Sequence, residues 1–452
     1  MENIKRDDIS IIKENKKINK RFFISSIITG AKVDEKFMQT VNNYCIKNDT
    51  ELILLPMRGV SVKNTFDPDI YDRFSDNLAT SFKFNSNLIA IDLMINPQQV
   101  NPLTGLHRFT QKEYSVIVAS PKQILNTVPQ RAGSLPHIIL STGTICKPEY
   151  RNNRPGKLAE QDNLIGGLIV EVESNKIYHI RHIQSDNKGG FHDLDTYYKG
   201  CDSKKIEVEG ITIEPHYGVE DEKSLNAVKD IIKHTKCKRL FLHDMFDAGS
   251  VNHHESKDIC AKYNRKPHQK DLKSELDYMS EKLRLWNKQF PTLEMFVVAS
   301  NHNDFVNRYL AAGDFLQEDV NVYTASKMFT AMLDGNDPIE WYLKDNYNIN
   351  NLKFLEERES FVLNGIEMNI HGHQGNNGAR GSANATEISN GKATIGHSHA
   401  PSILRDVWTT GCNCQLEQRY NKGGSSWLHG SIIHHANGKR QLIIIIDGKW
   451  KI

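Results

Sequence analysis

The chain has 452 residues, 38% of them hydrophobic and 25% charged, with a formal net charge of +2. This is globular composition, and the length suggests about two to three domains with a core that needs neither disulfides nor a metal merely to fold. The near-neutral balance rules out a polyanionic partner signalled by overall charge, although a local basic face stays compatible with one.

The first stretch, MENIKRDDISIIKENKKINKR, is densely charged and lacks the apolar core of a secretory signal. No run approaches the ~18 apolar residues of a membrane span. The expectation is a soluble cytoplasmic protein with a frayed, charged tail over 1–20. RFFISSIITG then reads as a strand, VDEKFMQTVNNYCIKN as a helix and TELILLPM as a strand, which together make a βαβ unit with a parallel sheet. NLIAIDLM, YSVIVAS and HIILSTG read as further strands, with PKQILNTV as a helix between the last two. GGLIVEVESNKIYHIRHIQ has two alternating runs around Ser-Asn, a hairpin pattern. These elements predict an N-terminal α/β domain over 21–200, and the polar stretch DLDTYYKGCDSKK marks a boundary.

A second α/β series fills 206–452. IEVEGITIEPHYG begins it, followed by helical EDEKSLNAVKDIIKHT, strand RLFLHDMFD, a long charged helix, strand EMFVVASNHND, helices to about 346, strands IEMNIHGH and KATIGHSHAP, and terminal β-structure including QLIIIIDGKW. In KDLKSELDYMSEKLRLW the apolar residues fall at helical spacing, the pattern of a core-facing helix. Seven scattered cysteines, Cys45, Cys146, Cys201, Cys237, Cys260, Cys412 and Cys414, form no C-x-x-C and read as reduced thiols. The C-x-C of Cys412 and Cys414 fits buried thiols near a strand better than a metal site.

The polar clusters of this second half share one property: each follows a predicted strand. Glu214–His216 follow GITI, His243–Asp247 follow KRLFL, Ser300–Asp304 follow EMFVVA, His371–His373 follow IEMNI, and Gly396–His399 follow KATI. Ligands in α/β sheets bind outside the carboxyl ends of strands, so five such ends can deliver His, Asp, Asn and Glu to one cleft. Each cluster alone is an ordinary loop feature, and Ser300 suits a helix N-cap. Together, imidazole, carboxylate and amide donors suit Mn, Fe or Zn rather than a soft thiolate site.

EPHYG, HDMFD, SNHND, IHGHQ and GHSHAP also stand in the order of the motifs of the calcineurin-like metallophosphoesterases, which include the Mre11 and SbcD nucleases, and over 206–452 the chain resembles that family. The resemblance implies a four-layer α/β/β/α sandwich and two divalent ions, Mn²⁺ first, with Mg²⁺, Fe²⁺ or Zn²⁺ as alternatives. It implies that Glu214, His216 and His399 serve the first metal, that Asp244 bridges, and that Asn301, His371 and His397 bind the second. His302 would protonate the leaving oxygen or stabilise phosphoryl charge, and Asp247 would orient ligands. His373 is the alternative to His371. Glu214, His243 and Asn303 depart from the family pattern, which has aspartate, glycine and an acid there. The chemistry implied is phosphoester hydrolysis by a metal-bridging hydroxide.

Substrate is not written in these motifs. The extra α/β domain, the Lys/Arg-rich insertion HESKDICAKYNRKPHQKDLKSE and the loop QGNNGARGSANA favour DNA, with Arg380 and His254 as candidate substrate contacts. GGSSWLHGSIIHHANGKRQLI, NPLTGL and GGFHDLDTYY resemble metallophosphoesterases of large tailed phages. The expectation is a DNA nuclease serving DNA transfer or host DNA degradation, acting in the host cytoplasm as a homo-oligomer, with a second phage or host protein as a further partner. The alternatives are a small-molecule phosphatase or cyclic-nucleotide phosphodiesterase, and a non-catalytic scaffold binding DNA or protein.

Overall fold

The computed structural model describes residues 4–60, 64–110, 114–131, 133–255, 258–347 and 349–452. It shows a mixed α/β protein, with eleven α-helices and five β-sheets among those residues. The expected βαβ unit is present: Lys20–Ile28 pairs in parallel with Thr50–Met57 across the helix Glu35–Lys47, which Asp34 caps. The hairpin Gly166–Val172 and Tyr178–Gln184 is also present, and its first strand pairs with Lys20–Ile28 to complete a four-stranded sheet.

Two sheets position the polar clusters. The six-stranded sheet runs Leu352–Phe354, Glu294–Val297, Arg239–Leu242, Gly210–Ile213, Gly430–His434, Arg440–Ile444, and its first four strands are parallel. Alternation along these strands sorts their two faces. Leu240, Leu242, Met295 and Val297 share a core with Leu225, Ile231, Leu276 and Leu283 of the helices Glu222–Thr235 and Leu272–Gln289. Phe241 and Phe296 point the other way, toward Leu363, Ile366 and Met368 of the second sheet. That second sheet has eleven strands and includes Ile366–Glu367, Ala393–Ile395 and Val407–Thr409. Thr394 faces the first sheet, where it accepts from Arg440 at 3.2 Å. Ala393, Ile395 and Val407 face Ala383 at the start of the helix Ala383–Asn390.

The eleven-stranded sheet also contains N-terminal strands, joined to the C-terminal ones where Leu125 pairs with Ile403. Ile403, Trp408, Ile432 and Leu442 lie in one core with Phe22, Phe82 and Leu168.

Three segments differ from their sequence reading. PKQILNTV contains a strand, Leu125–Val128, because the chain pairs it antiparallel with His137–Ser141 and buries Ile124 and Leu125; sheet pairing overrides a helix-like spacing in so short a run. The charged N-terminus is not frayed over its described residues, and residues 1–3 lie outside them. Ile12–Glu14 is an edge strand, and Arg6 is buried where it pairs with Asp92 and donates to the Pro56 carbonyl at 2.7 Å. The polar boundary stretch folds as a small antiparallel sheet, Phe191–Asp193, Thr196–Lys199 and Asp202–Lys205.

A buried ionic knot ties this small sheet to the N-terminal hairpin. Arg181 reaches Asp193 at 2.7 Å and Glu171 at 3.0 Å, and Arg21 reaches Glu171 at 2.7 Å. Burial opposes charge on Glu171, but the Arg181 charge and hydrogen bond outweigh it and hold the carboxyl down from 4.5 to about 2. A carboxyl depressed in this way contributes stability above its unfolded value and loses it as pH falls toward the folded one. Arg181→Met is expected to destabilise by about 3–5 kcal/mol, since it leaves Asp193 without its cation and Glu171 with Arg21 alone. It should also flatten the loss of stability between pH 4.5 and 2; urea titrations at several pH values measure both.

Candidate metal centre

Strand ends deliver the site. Gly210–Ile213 runs into Glu214 and His216, and Arg239–Leu242 into His243 and Asp244. Glu294–Val297 leads to Ser300, which caps the helix Asn301–Ala312 and so fixes Asn301 and His302 in its first turn. Ile366–Glu367 leads to His371, and Ala393–Ile395 to His397 and His399. The turns are backbone-strained: His216, Asp244, His397 and His399 hold φ of 46°, 34°, 71° and 57°. Each such residue costs on the order of 1–3 kcal/mol, which the surroundings must over-determine. They do so by stitching the turns together, with His243 N–H on the Ile213 carbonyl, His216 N–H on Asp244 and Tyr217 N–H on Met245, all at 2.8–2.9 Å. Gly396 is required by space, since a Cβ there would stand 3.0 Å from Glu214 Oε2 and from His243 Cβ.

Four donor groups result among the described residues, and two of them share Asp244. Glu214, His216, Asp244 and His399 each place one ligand atom within 4.8 Å of the others, and so do Asp244, His371 and His397. Asn301 joins the second group, its Oδ1 lying 2.9 Å from His371 Nε2 and 3.0 Å from His397 Nδ1. In the first group His216 Nε2 and His399 Nε2 face each other at 2.9 Å, and His399 Nε2 is 3.3 Å from Glu214 Oε1. Asp244 Oδ2 lies 3.0 Å from His371 Nε2 and 3.5 Å from His216 Nε2. Glu214, His216, Asp244, His371 and His399 are all no more than 4% exposed.

Among the described residues Glu214 Oε2 and Asp244 Oδ2 are buried without a hydrogen bond. Buried carboxylate oxygens are costly in that state, and oxygens and imidazole nitrogens converging on common points suit cations better than one another. Burial opposes the charges of Glu214 and Asp244, yet His399 beside the first and His371 beside the second hold both well below the usual carboxylate range. Burial likewise opposes a proton on His216, but Asp247, Glu214 and Asp244 outweigh it and raise its pKa. Without a cation, a proton on His216 offsets the carboxylates. The donor set therefore fits two borderline-to-hard divalent ions.

Around this centre His302 and Asp247 stand as a unit. His302 Nδ1 donates to the Asp247 carbonyl at 2.8 Å, so its Nε2 is free for other partners. Burial lowers the His302 pKa against the pull of Asp244. Asp247 Oδ1 is 3.7 Å from His216 Nδ1, and Asp247 Oδ2 accepts from Gln269 at 2.8 Å. Of the other residues singled out from sequence, Arg380 and His254 are exposed and belong to neither of the donor groups that share Asp244. The ring of His254 is 5.8 Å from Phe305, whose own ring is 4.8 Å from His302. His373 packs 5.4 Å from His371 and joins neither group.

Sequence reasoning missed three supports. Asn413 is buried, accepts from the Glu214 N–H at 3.1 Å and donates to Ser224 at 2.9 Å. His243, noted only as a replaced glycine, sets its Nδ1 3.3 Å from His371 Nδ1, so His371 meets Asn301 and Asp244 through Nε2. Glu275, on the helix read as core-facing, accepts from Gly249 and Ser250 N–H and from Gln269. Burial, then the Asp247 charge, raises its carboxyl to about 7. Cys414, read from the sequence with Cys412 as a buried thiol, is buried; it comes within ligand range of His216 and His399, but its hydrogen bond with Cys412, and then burial, keep the thiol protonated. Only Glu275 carried a clue in the sequence, as a carboxylate among the apolar positions of its helix.

With this geometry in hand, the chain is similar to Protein A1 of Escherichia phage T5, with 26% identity over 473 aligned positions that cover 96% of this chain and 83% of that protein. The similarity extends to both halves of the chain and supports a phage relationship. No family model and no solved structure matches the chain. No helix among the described residues is long and apolar enough to cross a membrane.

Calorimetry with Mn²⁺ should find two sites, with Asp244→Asn losing both, His399→Ala the first and His371→Ala the second. Asn413→Ala, which touches no ligand atom, is expected to weaken the first site by about 10–100-fold. Because His216 holds a raised proton affinity, Mn²⁺ should bind more tightly as pH rises and release a proton on binding. Titrations in buffers of different ionisation heat check this.

Proposed function

We propose that the chain is a two-metal phosphodiesterase acting on DNA, with its C-terminal part built as the four-layer sandwich of the calcineurin-like metallophosphoesterases. The observation that carries this reading is Asp244, shared by two donor groups, with the His302 ring 4.6 Å from that of His216. Divalent ions held by these groups, Mn²⁺ first, would supply Lewis acidity toward the phosphoryl oxygens and an acidified water.

The chain's own residues then divide the work. His302, tethered through Nδ1, presents Nε2 to the leaving oxygen. Burial keeps it neutral in the free site, and the charge of an arriving phosphate adds to that of Asp244 in favouring its proton. Glu214 stands where the family has aspartate, and its longer arm does two things: Oε1 faces His399 and also accepts the His397 N–H at 2.9 Å. Asn303 stands where the family has an acid, and its amide oxygen accepts the Phe246 N–H at 3.3 Å, so it braces the loop that carries Asp247. Asn301 contributes an amide oxygen that adds no charge.

DNA as substrate is supported by a cavity of about 580 Å³ whose wall includes Lys262, Arg265, Lys270, Arg308 and His253. Half of its wall comes from the insertion between Asp244 and Asn301, of which Ser256 and Lys257 lie outside the described residues, and half from the segment 308–321. Phe305 connects it to the centre, packing against both His253 and His302. Cations in such a groove suit a phosphate backbone. The phage relationship fits a role in DNA transfer or host DNA degradation within the host cytoplasm.

With Mn²⁺ the protein is expected to cleave plasmid or linear DNA, to lose activity with chelator, and to lose about 10²–10⁴-fold in kcat as His302→Ala. Neutralising Lys262, Lys270 and Arg308 together should raise KM for DNA and shallow its salt dependence, leaving turnover of bis-p-nitrophenyl phosphate unchanged. Turnover of small esters alone would point to a small-molecule phosphatase. Metal binding without turnover of any ester would point to a scaffold.

A further inference from the structure

A second cavity, of about 540 Å³, lies on the seam between the N-terminal strands and the C-terminal sheet. Its wall carries five cationic side chains and three carboxylates. Two of the cations are neutralised locally: Lys122 pairs with Asp162 at 2.9 Å, and Arg405 donates to Glu387 at 2.8 Å. The other three, Lys392, Lys439 and Arg440, face one remaining carboxylate, Asp406, which leaves two positive charges in excess.

Arg440 is 2% exposed and, among the described residues, makes no ion pair with a carboxylate. Its guanidinium donates to the carbonyls of Ala393 and Asp406 at 2.6 and 2.7 Å and to the Thr394 hydroxyl. Lys392 Nζ donates only to the Gly438 carbonyl, and Lys439 Nζ makes no hydrogen bond among the described residues. Burial, then repulsion from Arg440, brings Lys392 down to about 8, and burial brings Arg440 down to about 9. On the same wall Asn163 Nδ2 is a buried donor without a hydrogen-bond partner among the described residues. Cations left unneutralised beside an unused amide donor are the lining an anion requires. The apolar faces of Val100, Leu158 and Leu164 complete the wall, and the volume is that of a small-ligand site.

We infer that this cavity binds a small phosphate monoester of nucleotide size, its phosphate held by Lys392, Lys439 and Arg440. The site is separate from the metal centre. Lys392 stands before the strand Ala393–Ile395 and the histidines stand after it, five residues and roughly 15 Å of extended chain away. Because the wall draws on both 100–184 and 387–440, the ligand would brace the seam.

The test uses the full chain with its metal centre kept empty by EDTA. 2′-Deoxyadenosine 5′-monophosphate is titrated calorimetrically at low salt, alongside inorganic phosphate and a 5′-phosphorylated oligonucleotide. Saturable binding of the mononucleotide is expected, weakened at least tenfold by Lys392→Gln and by Lys439→Gln and unchanged by Asp244→Asn. Lys439→Gln breaks no hydrogen bond of its Nζ, so it reads the site even if Lys392→Gln fails to fold. The inference is overturned by an absence of saturable binding, or by equal affinity in a folded Lys439→Gln. It is equally overturned by loss in Asp244→Asn, by inorganic phosphate binding as tightly as the mononucleotide, or by binding of the oligonucleotide alone.

Discussion

The arrangement of the C-terminal part rests on one electrostatic constraint: two carboxylates, Glu214 and Asp244, are held ionised where water does not reach. An unpaired buried charge is costly enough that its surroundings must be built to meet it. Here they are built from four imidazoles and an amide, brought in on separate strand ends. The strained turns at His216, Asp244, His397 and His399 are the local consequence. None of these residues is glycine, so each turn persists because its side chain is needed at the centre and because the backbone bonds between neighbouring turns hold it.

The β-strands leading into the centre were readable in the sequence for a physical reason. A strand buried on both faces is a short apolar run, and the first polar residues after it mark where it leaves the core. Glu214, Asp244, Asn301, His371 and His397 all fall at such breaks. Asn413 and His243 were not readable as supports, since their roles arise from contacts with residues as many as 199 positions away. PKQILNTV fails differently: eight residues with Ile124, Leu125 and Val128 fit either period, and only the partner strand His137–Ser141 decides. Arg6 shows the same limit, because nothing local announces that a basic residue in a charged stretch will be buried against Asp92.

The three residues that depart from the metallophosphoesterase motifs the sequence resembles have separate structural accounts. The longer Glu214 side chain reaches a backbone N–H that holds the His397 turn. The ring of His243 meets His371 and decides which nitrogen that residue turns toward Asp244. Asn303 exchanges a charge for a neutral brace on Phe246 N–H, and the orientation of His302 comes from the Asp247 carbonyl. Each replacement alters a contact beneath the donor atoms and leaves the convergence of the donors in place.

The two halves of the chain meet through more than adjacency. Leu125 pairs with Ile403, Trp408 lies in a core with Phe22 and Phe82, and Gln441 accepts from Leu194 N–H while donating to the His182 carbonyl. The strand Arg440–Ile444 is thus packed on N-terminal residues while belonging to the sheet that supplies Glu214 and Asp244. Arg440 sits at the start of that strand and reaches Thr394, two residues before Gly396 and the turn that carries His397. A change at the seam would therefore reach the clustered donor side chains along one short strand, through backbone and packed side chains that have little room to absorb it.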